Sequence, residues 1–220
     1  MGKPLSSKKP ARTQKEKEKQ FKRIIDEGRK LFVSKGTYGF STHALAKRLG
    51  MVQGNLYNYV KSKRELYIAI RTEDFQKLKN DMIDIVENHE GSYLELINKL
   101  LVFYLEFAKK EFRRFQMMFM VPLPPSKKVG PLEKNYRLVD PLQVLRDVVK
   151  KAIEKKEVKD FDVDDLTYFL YAIAQGAVFV ERDIRYQKKV LEPIELKDKN
   201  EKIESFRKFL TEQLIKFISR

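Results

Sequence analysis

The chain has 220 residues, a formal net charge of +15 and 42% hydrophobic residues, which is enough material for one large or two small domains with a buried core. It contains no cysteine, so disulfides, thiolate metal sites and a thiol nucleophile are excluded. The sequence has no apolar run that could span a bilayer and no apolar signal segment near its basic N-terminus. We therefore expect a soluble, cytoplasmic protein without membrane contact.

The positive charge is concentrated in the N-terminal part of the chain. Residues 1–64 contain 17 Lys and Arg against 4 Asp and Glu, whereas residues 65–220 contain 29 against 27. A surface that is cationic only for solubility would spread this charge along the chain. The asymmetry predicts a polyanion-binding module attached to a nearly neutral one.

Residues 1–12 are polar, basic and contain proline, and we expect them to form a disordered arm. Two interpretations stay open for this arm: it follows the DNA backbone or enters a minor groove, or it is only a solvated tail. From about Thr13 the apolar residues recur at spacings of three and four, which predicts a helix that stops before Gly36. Tyr38 and Phe40 are expected to fill the core of a small domain.

Residues 41–66 have the pattern of two short helices joined by a turn and followed by the start of a third helix. Ser41 or Thr42 can cap the first of these helices, and Gly50 supplies the left-handed residue that ends it. The second helix would pack on the first through Met51, Val52 and Leu56. This layout predicts a helix-turn-helix DNA-binding domain over residues 13–62.

The exposed side chains of the second helix suit contact with a duplex. Gln53 and Asn55 carry amides that can pair with adenine edges, and Tyr57 and Tyr59 carry hydroxyls that reach phosphate or thymine. Ser62 and Glu65 form an S-x-x-E capping box for the third helix. A docked phosphate would explain why Lys63 stands in the first turn of that helix, where a cation opposes the helix dipole.

The segment resembles the DNA-binding motif of the TetR family of transcriptional repressors. The matching positions are Thr42, Leu45-Ala46, Gly50, Leu56-Tyr57, Val60-Lys61-Ser62-Lys63 and Leu66. The resemblance implies phosphate contacts from Thr42, Tyr57 and Lys63, and base-facing or mixed contacts from His43, Gln53, Asn55 and Tyr59. Three positions depart from the family pattern: many members carry Ser or Thr at the position of Val52, which caps the recognition helix, and His at Tyr59 or a small residue at Asn55, which face the operator.

The remaining pattern is helical throughout, and we predict an all-α fold with an N-terminal three-helix head and a C-terminal helical bundle. Residues 63–220 are expected to form an effector-binding and dimerisation domain, which begins with one stiff helix to about Asn88. Further helices are predicted at 93–110, 112–120, 138–156, 163–186 and 199–218. Residues 121–135 contain four prolines and are predicted to be a loop.

An aromatic and methionine-rich cluster between residues 103 and 120 is a candidate pocket for a small apolar effector, because methionine adapts to varied ligands. Ordinary bundle core is the alternative for each of its residues. The candidate pocket residues are Phe103, Tyr104, Phe107, Phe115, Met118 and Phe119.

The last two long helices carry apolar residues on more than one face, which predicts partners on both sides. We expect them to form a two-fold, four-helix interface in a homodimer, as the resemblance also implies. Filling of both faces within one chain is the alternative. The predicted interface residues are Tyr168, Ala172, Gln175, Gly176, Phe179, Phe206, Leu210 and Leu214.

No catalytic motif or cofactor loop is present, so we predict no catalytic residues, no cofactor and no enzyme. The acidic group of Asp160, Asp162, Asp164 and Asp165 could hold a metal, but its position at a helix start favours capping, and no metal site is predicted. The two histidines, His43 and His89, lie in different predicted domains.

Together these patterns predict a ligand-responsive, homodimeric regulator, typical of a repressor, that binds a palindromic site on double-stranded DNA. An apolar effector in the C-terminal bundle would release it from that operator. Two alternatives are an architectural DNA-binding protein without an effector, and a helical small-molecule-binding protein or enzyme.

Overall fold

The computed structural model describes residues 13–126, 129–186 and 199–220, and these ranges contain ten α-helices. The all-α fold class is confirmed, although a short helix, α7, lies in the segment predicted to be a loop. The predicted arm, residues 1–12, lies outside the described residues. In order, the helices are α1 Gln14–Gly39, α2 Thr42–Arg48, α3 Gln53–Leu56, α4 Lys63–Glu87, α5 Tyr93–Lys110, α6 Phe112–Phe119, α7 Pro131–Lys134, α8 Leu142–Glu154, α9 Val163–Tyr186 and α10 Lys199–Ile218.

The chain divides into two compact units. The head unit comprises Met1–Thr72 and Gln116–Arg137, and the body unit comprises Glu73–Phe115 and Leu138–Arg220. The helices α4 and α6 contribute residues to both units. In the described part of the chain, no helix combines the length and the apolar character that a membrane crossing requires.

Local signals in the sequence account for the first helix of the head unit. The Thr13 hydroxyl accepts a hydrogen bond from the Glu16 amide, and the Glu16 carboxylate accepts one from the Thr13 amide, so a complete capping box starts α1. The φ angle of Gly36 is +66°, which breaks the regular helix at the predicted position and leaves one further turn. Phe40 is buried as expected, but Tyr38 is 88% exposed, so its predicted place in the core is wrong.

The core of the head unit joins α1 to α4 and to a segment from later in the chain. Gly28 allows the close approach, because a Cβ there would lie 3.1 Å from Ile70 Cδ1 and 3.2 Å from Leu66 Cδ2. Met117 is fully buried in the same cluster. The buried members are Ile24, Ile25, Leu31, Phe32, Phe40, Leu45, Leu49, Leu56, Val60, Leu66, Tyr67, Ile70 and Met117.

The body unit is a bundle in which α5 packs against α8, α9 and α10. Ser92 and Glu95 form a capping box at the start of α5. The Asp162 carboxylate accepts the amide protons of Asp164 and Asp165 at 2.9 and 3.0 Å, so capping of α9 explains the acidic group. Within the described ranges, no cluster of three or more His, Asp or Glu side chains is arranged to hold a metal.

An ion-pair network that includes the buried Glu181 ties three helices of the body unit together. The Arg207 guanidinium on α10 donates to both carboxylate oxygens of Glu181 on α9, at 2.6 and 2.7 Å, and also to Glu106 on α5. The hydrogen bond from Arg207 lowers the pKa of Glu106 below its ordinary value. Hydrogen bonds to Glu181 and Glu106 raise the pKa of Arg207. Glu106 and Arg207 are therefore both ionised at neutral pH.

Proline placement explains where two helices differ from the prediction. α8 begins at Leu142 and not near Leu138, because Pro141 takes the N-cap position. α7 forms inside the predicted loop with Pro131 in its first turn. A backbone amide in the first turn has no acceptor within its helix, so a proline there costs no hydrogen bond.

Candidate DNA interface

The α2–α3 pair is assembled by a cap, a glycine turn and buried apolar side chains. The Ser41 hydroxyl accepts the Ala44 amide proton at 3.3 Å and starts α2. Gly50, with a φ angle of +65°, supports the turn between the helices. α3 is a single turn, Gln53–Leu56, anchored by the fully buried Leu56. Val52 is its N-cap without a side-chain hydrogen bond and is 72% exposed, so the packing predicted for Val52 is wrong.

Thr42 links the two helices through its hydroxyl group. Thr42 Oγ1 accepts a hydrogen bond from Gln53 Nε2 at 2.8 Å, and the Tyr57 hydroxyl lies 3.4 Å from the same oxygen. One proton of the Gln53 amide is used in this way, which leaves its second proton and its carbonyl oxygen for other partners. The Gln53 side chain is therefore oriented by the protein.

The other predicted contact residues of this surface differ in exposure. His43 and Asn55 are exposed, and Tyr57 is partly exposed. Tyr59 is half-buried, and its ring stacks on Phe21 of α1 with the ring centroids 6.3 Å apart. An open cleft of about 800 Å³ borders Asn55 and Tyr59. The cleft is lined by Gln14, Lys17, Glu18, Phe21, Asn55, Asn58, Tyr59 and Leu132.

Two lysines flank the turn between α3 and α4. Lys63 Nζ donates to the Phe40 carbonyl oxygen at 3.3 Å and lies 5.7 Å from the centroid of the Phe40 ring. Burial lowers the pKa of Lys63 from its ordinary value. Lys61 is exposed, and its Nζ donates to the Tyr57 carbonyl oxygen at 2.7 Å. These contacts hold both cations beside the α2–α3 surface.

The predicted capping box at the start of α4 forms only in part. The Ser62 hydroxyl accepts the Glu65 amide proton at 3.0 Å, as predicted. The Glu65 carboxylate does not return to Ser62; it accepts the amide protons of Lys61 at 2.6 Å and of Leu132 at 2.8 Å. The sequence pattern could not reveal the second bond, because Leu132 lies 67 residues away.

The candidate effector residues are divided between the two units. Phe103, Tyr104, Phe107 and Phe115 belong to the body unit, and Met118 and Phe119 belong to the head unit. The Tyr104 and Phe115 rings meet edge to face with their centroids 6.1 Å apart. Burial raises the pKa of Tyr104.

The candidate dimer residues on α9 share one accessible face of the protomer. Tyr168 is 54% exposed, and Ala172, Gly176 and Phe179 are also exposed, whereas Gln175 is half-buried. On α10, Phe206 and Leu210 are half-buried and Leu214 is buried within the protomer.

Comparisons with known proteins agree with this geometry. Residues 24–70 match the family model of bacterial regulatory proteins, tetR family. No curated protein sequence matches the chain significantly.

Solved structures extend the likeness to most of the chain. A TetR-family transcriptional regulator from Pectobacterium atrosepticum superposes with a TM-score of 0.62 at 18% identity, covering 95% of this chain and 99% of that one. A TetR/AcrR-family regulator from Thermobifida fusca gives 0.58 at 19% identity, with 88% and 97% covered. A ketosteroid transcriptional regulator from Mycobacterium tuberculosis gives 0.59 at 16% identity, with 91% and 95% covered.

At these identities the solved structures establish the fold, and the family model establishes the N-terminal domain. The TetR resemblance predicted from residues 42–66 is thereby confirmed. Residues 24–70 therefore form a DNA-binding domain of the type found in bacterial regulatory proteins of the tetR family, in a chain whose fold is similar to that of solved TetR-family regulators.

Proposed function

We propose that the protein is a ligand-responsive repressor that binds a palindromic operator as a homodimer. The observation that carries the proposal is the α2–α3 surface, on which Thr42 orients the Gln53 amide while Asn55 and His43 stay exposed. An amide fixed in this way can pair with an adenine edge without first losing side-chain entropy.

Phosphate contacts would set the register of the head on the duplex. Thr42, Tyr57 and Lys63 are the candidates, and Lys61 lies beside them. Gln53, Asn55 and His43 would then read bases. Tyr59 is a candidate for a mixed contact through its hydroxyl, since its ring is held against Phe21.

Dimerisation would use the exposed face of α9 together with α10. Ala172 and Gly176 lie one turn apart and are both exposed, so a second helix could approach closely there. The partly exposed Tyr168 and Phe179 flank these small residues and would lose apolar surface to water in a dimer. Two heads would then face half-sites about 34–36 Å apart.

An apolar effector would act by favouring a spacing of the heads that does not fit the operator. The aromatic residues of α5 and the neighbouring Phe115 are the candidate contacts, and α4, which contributes residues to both units, would carry the change. Such a ligand must bind more tightly to the conformation that does not bind the operator than to the conformation that does.

Selection of duplexes from a random pool by the full chain, with and without apolar ligands, tests the proposal. We expect a palindromic site containing adenine in each half-site, and release by at least one ligand. Binding to every duplex with similar affinity would instead support an architectural DNA-binding protein. Retention of the operator under all ligands would remove the effector part of the proposal.

A further inference from the structure

A segment from the middle of the chain packs against the start of α4 in the head unit. Residues 129–134, which include α7, follow the body helix α5 and then α6 in sequence, yet they belong to the same compact unit as α1–α3. We call residues 129–134 the α7 turn. Its contacts fall on Arg64 and Glu65, the two residues that directly follow Lys63.

Glu65 is the centre of this contact and is 1% exposed. One carboxylate oxygen accepts the amide proton of Lys61 at 2.6 Å, and the other accepts that of Leu132 at 2.8 Å. The carboxylate therefore joins the turn before α4 to the α7 turn. Hydrogen bonds to a buried charged group are among the stronger ones in proteins, so both backbone segments are held firmly.

Gly130 makes this approach possible. A Cβ at residue 130 would lie 2.0 Å from Glu65 Oε1 and 2.2 Å from Glu65 Cδ. Any larger residue at that position must displace the Glu65 carboxylate. Since that carboxylate is buried and already carries two hydrogen bonds, it cannot move without losing at least one of them.

Arg64 makes a second, parallel connection to the same part of the chain. Its Nε donates to the Glu133 carboxylate at 2.6 Å, and one terminal nitrogen donates to the Pro124 carbonyl oxygen at 3.3 Å. The Tyr67 hydroxyl, one turn further along α4, donates to the Val121 carbonyl oxygen at 2.6 Å. The first turn of α4 is thus bound on its protein-facing side to residues that follow α6.

We propose that the α7 turn contributes to DNA binding by the head unit. In this proposal Glu65 is the positioning residue that holds the Lys61–Lys63 turn where its lysines can contact phosphate. Glu65 itself does not touch DNA. This inference rests on the proposed DNA contact of Lys63 and assigns its control to residues outside the helix-turn-helix. Any movement of the α7 turn changes where Lys61 and Lys63 meet the duplex.

The test compares two variants that disturb the Glu65 carboxylate in different ways, one by changing Glu65 itself and one by changing the residue packed against it. Glu65→Gln replaces one acceptor oxygen by an amide nitrogen, and Gly130→Ala displaces the carboxylate without changing any residue of α1–α4. Glu157→Gln is the matched control, because Glu157 also accepts a backbone amide proton, from Leu94 at 2.9 Å, but within the body unit. Operator affinity is measured against salt concentration, and thermal unfolding is followed in parallel.

We expect Glu65→Gln and Gly130→Ala each to weaken operator binding about tenfold, the scale of one lost charge-assisted hydrogen bond. The slope of log affinity against log salt is negative, and its magnitude should decrease by about one to two, since each lost phosphate contact removes about 0.9. The double variant should bind no worse than the weaker single variant, because both changes act through one carboxylate. Glu157→Gln should leave affinity and slope unchanged.

Unchanged affinity and slope in both variants would overturn the inference, and so would a loss of affinity with the wild-type slope, which indicates a structural role only. If Glu65→Gln does not fold, Gly130→Ala decides the question with the same readouts. Absence of salt-dependent DNA binding by the wild-type chain would contradict the proposed function itself, which separates the two failures.

Discussion

Single side chains on the α2–α3 surface hold one another in place before any duplex is bound. The hydroxyl of Thr42 accepts a proton from Gln53 and lies within hydrogen-bonding distance of the Tyr57 hydroxyl. A threonine with a predicted phosphate contact therefore also orients a base-reading amide. Losing its hydroxyl should disturb two kinds of contact together.

Thr42→Val should weaken operator binding about five- to tenfold, because Gln53 loses the acceptor that fixes its amide and one phosphate contact disappears. Stability should change little, since Thr42 is only half-buried. Thr72→Val is a suitable control, as the Thr72 hydroxyl donates only to the Ile68 carbonyl oxygen of its own helix. Fluorescence anisotropy with labelled operator measures the effect. Equal affinities for the two variants would contradict the role given to Thr42.

The Lys63 ammonium should respond to pH earlier than an ordinary lysine. Burial lowers its pKa, so it loses its proton, and with it any attraction to phosphate, at a lower pH than exposed lysines do. We expect operator affinity to decline on the alkaline side sooner in the wild-type chain than in Lys63→Arg, whose guanidinium stays charged. Affinity titrations between neutral and alkaline pH compare the two proteins. Parallel declines would exclude Lys63 from the contact.

At the scale of helices, the sequence predicts most elements because their signals are local. Thr13 with Glu16, Ser92 with Glu95, and Asp162 are caps that work within three residues of chain, and the structure contains all of them. The glycine breaks at Gly36 and Gly50 are also correct, since both positions adopt a positive φ angle.

The features that the sequence does not predict depend on distant contacts. The Glu65 carboxylate bonds to Leu132 and not to its own helix cap, and Met117 fills the head core from beyond α5. Val52 was expected inside because it is apolar, yet the one-turn length of α3 leaves it at the surface. The periodicity of residues 41–66 predicts neither the long-range contacts of Glu65 and Met117 nor the exposure of Val52.

The body helices should depend strongly on one arginine. Arg207→Met would leave Glu181, which is 5% exposed, without its guanidinium, and breaking a buried pair in this way costs about 3–5 kcal/mol of unfolding free energy. Chemical denaturation measures the loss. Lys208→Met on the same helix removes only an exposed pair with Glu212 and should cost less than about 1 kcal/mol. Similar losses for both variants would show that the network does not hold the bundle.

The same network should make stability sensitive to acid. Arg207 lowers the pKa of Glu106 in the folded state below its unfolded value, so this contribution is present above the unfolded pKa and is lost as pH falls through the folded one. We expect unfolding midpoints measured below about pH 4.5 to fall less steeply for Arg207→Met than for the wild-type chain. A steeper acid decline in the variant would contradict this assignment.

At the scale of the whole molecule, the proposed repressor needs two heads on one duplex. The exposed α9 face offers the small residues Ala172 and Gly176 between Tyr168 and Phe179. The sequence pattern looks the same whether an apolar helix face is covered by a second copy of the chain or by other helices of the same chain. Exposure of this face in the protomer favours a partner chain, and hydrodynamic measurements test the proposed dimer.

Gly176→Arg should convert the proposed dimer to a monomer, because a long charged side chain prevents close helix approach and would lose its hydration in the interface. Light scattering after size exclusion measures the mass, and operator affinity should fall together with it. Gln143→Arg adds the same charge at an exposed position of α8 and should leave both unchanged. A wild-type chain that is already monomeric at micromolar concentration would contradict the dimer.

The most direct test of the account is the affinity of the wild-type chain and of Gln53→Ala for a selected operator, measured across a range of salt concentrations. We predict a steep linear fall of log affinity with log salt for both proteins, with a slope of about −0.9 for each phosphate contacted. Gln53→Ala should bind the operator about 10- to 100-fold more weakly, and should discriminate less at one adenine. A flat salt response, or an operator affinity that does not depend on Gln53, would contradict the assignment of the α2–α3 surface as the part that reads DNA.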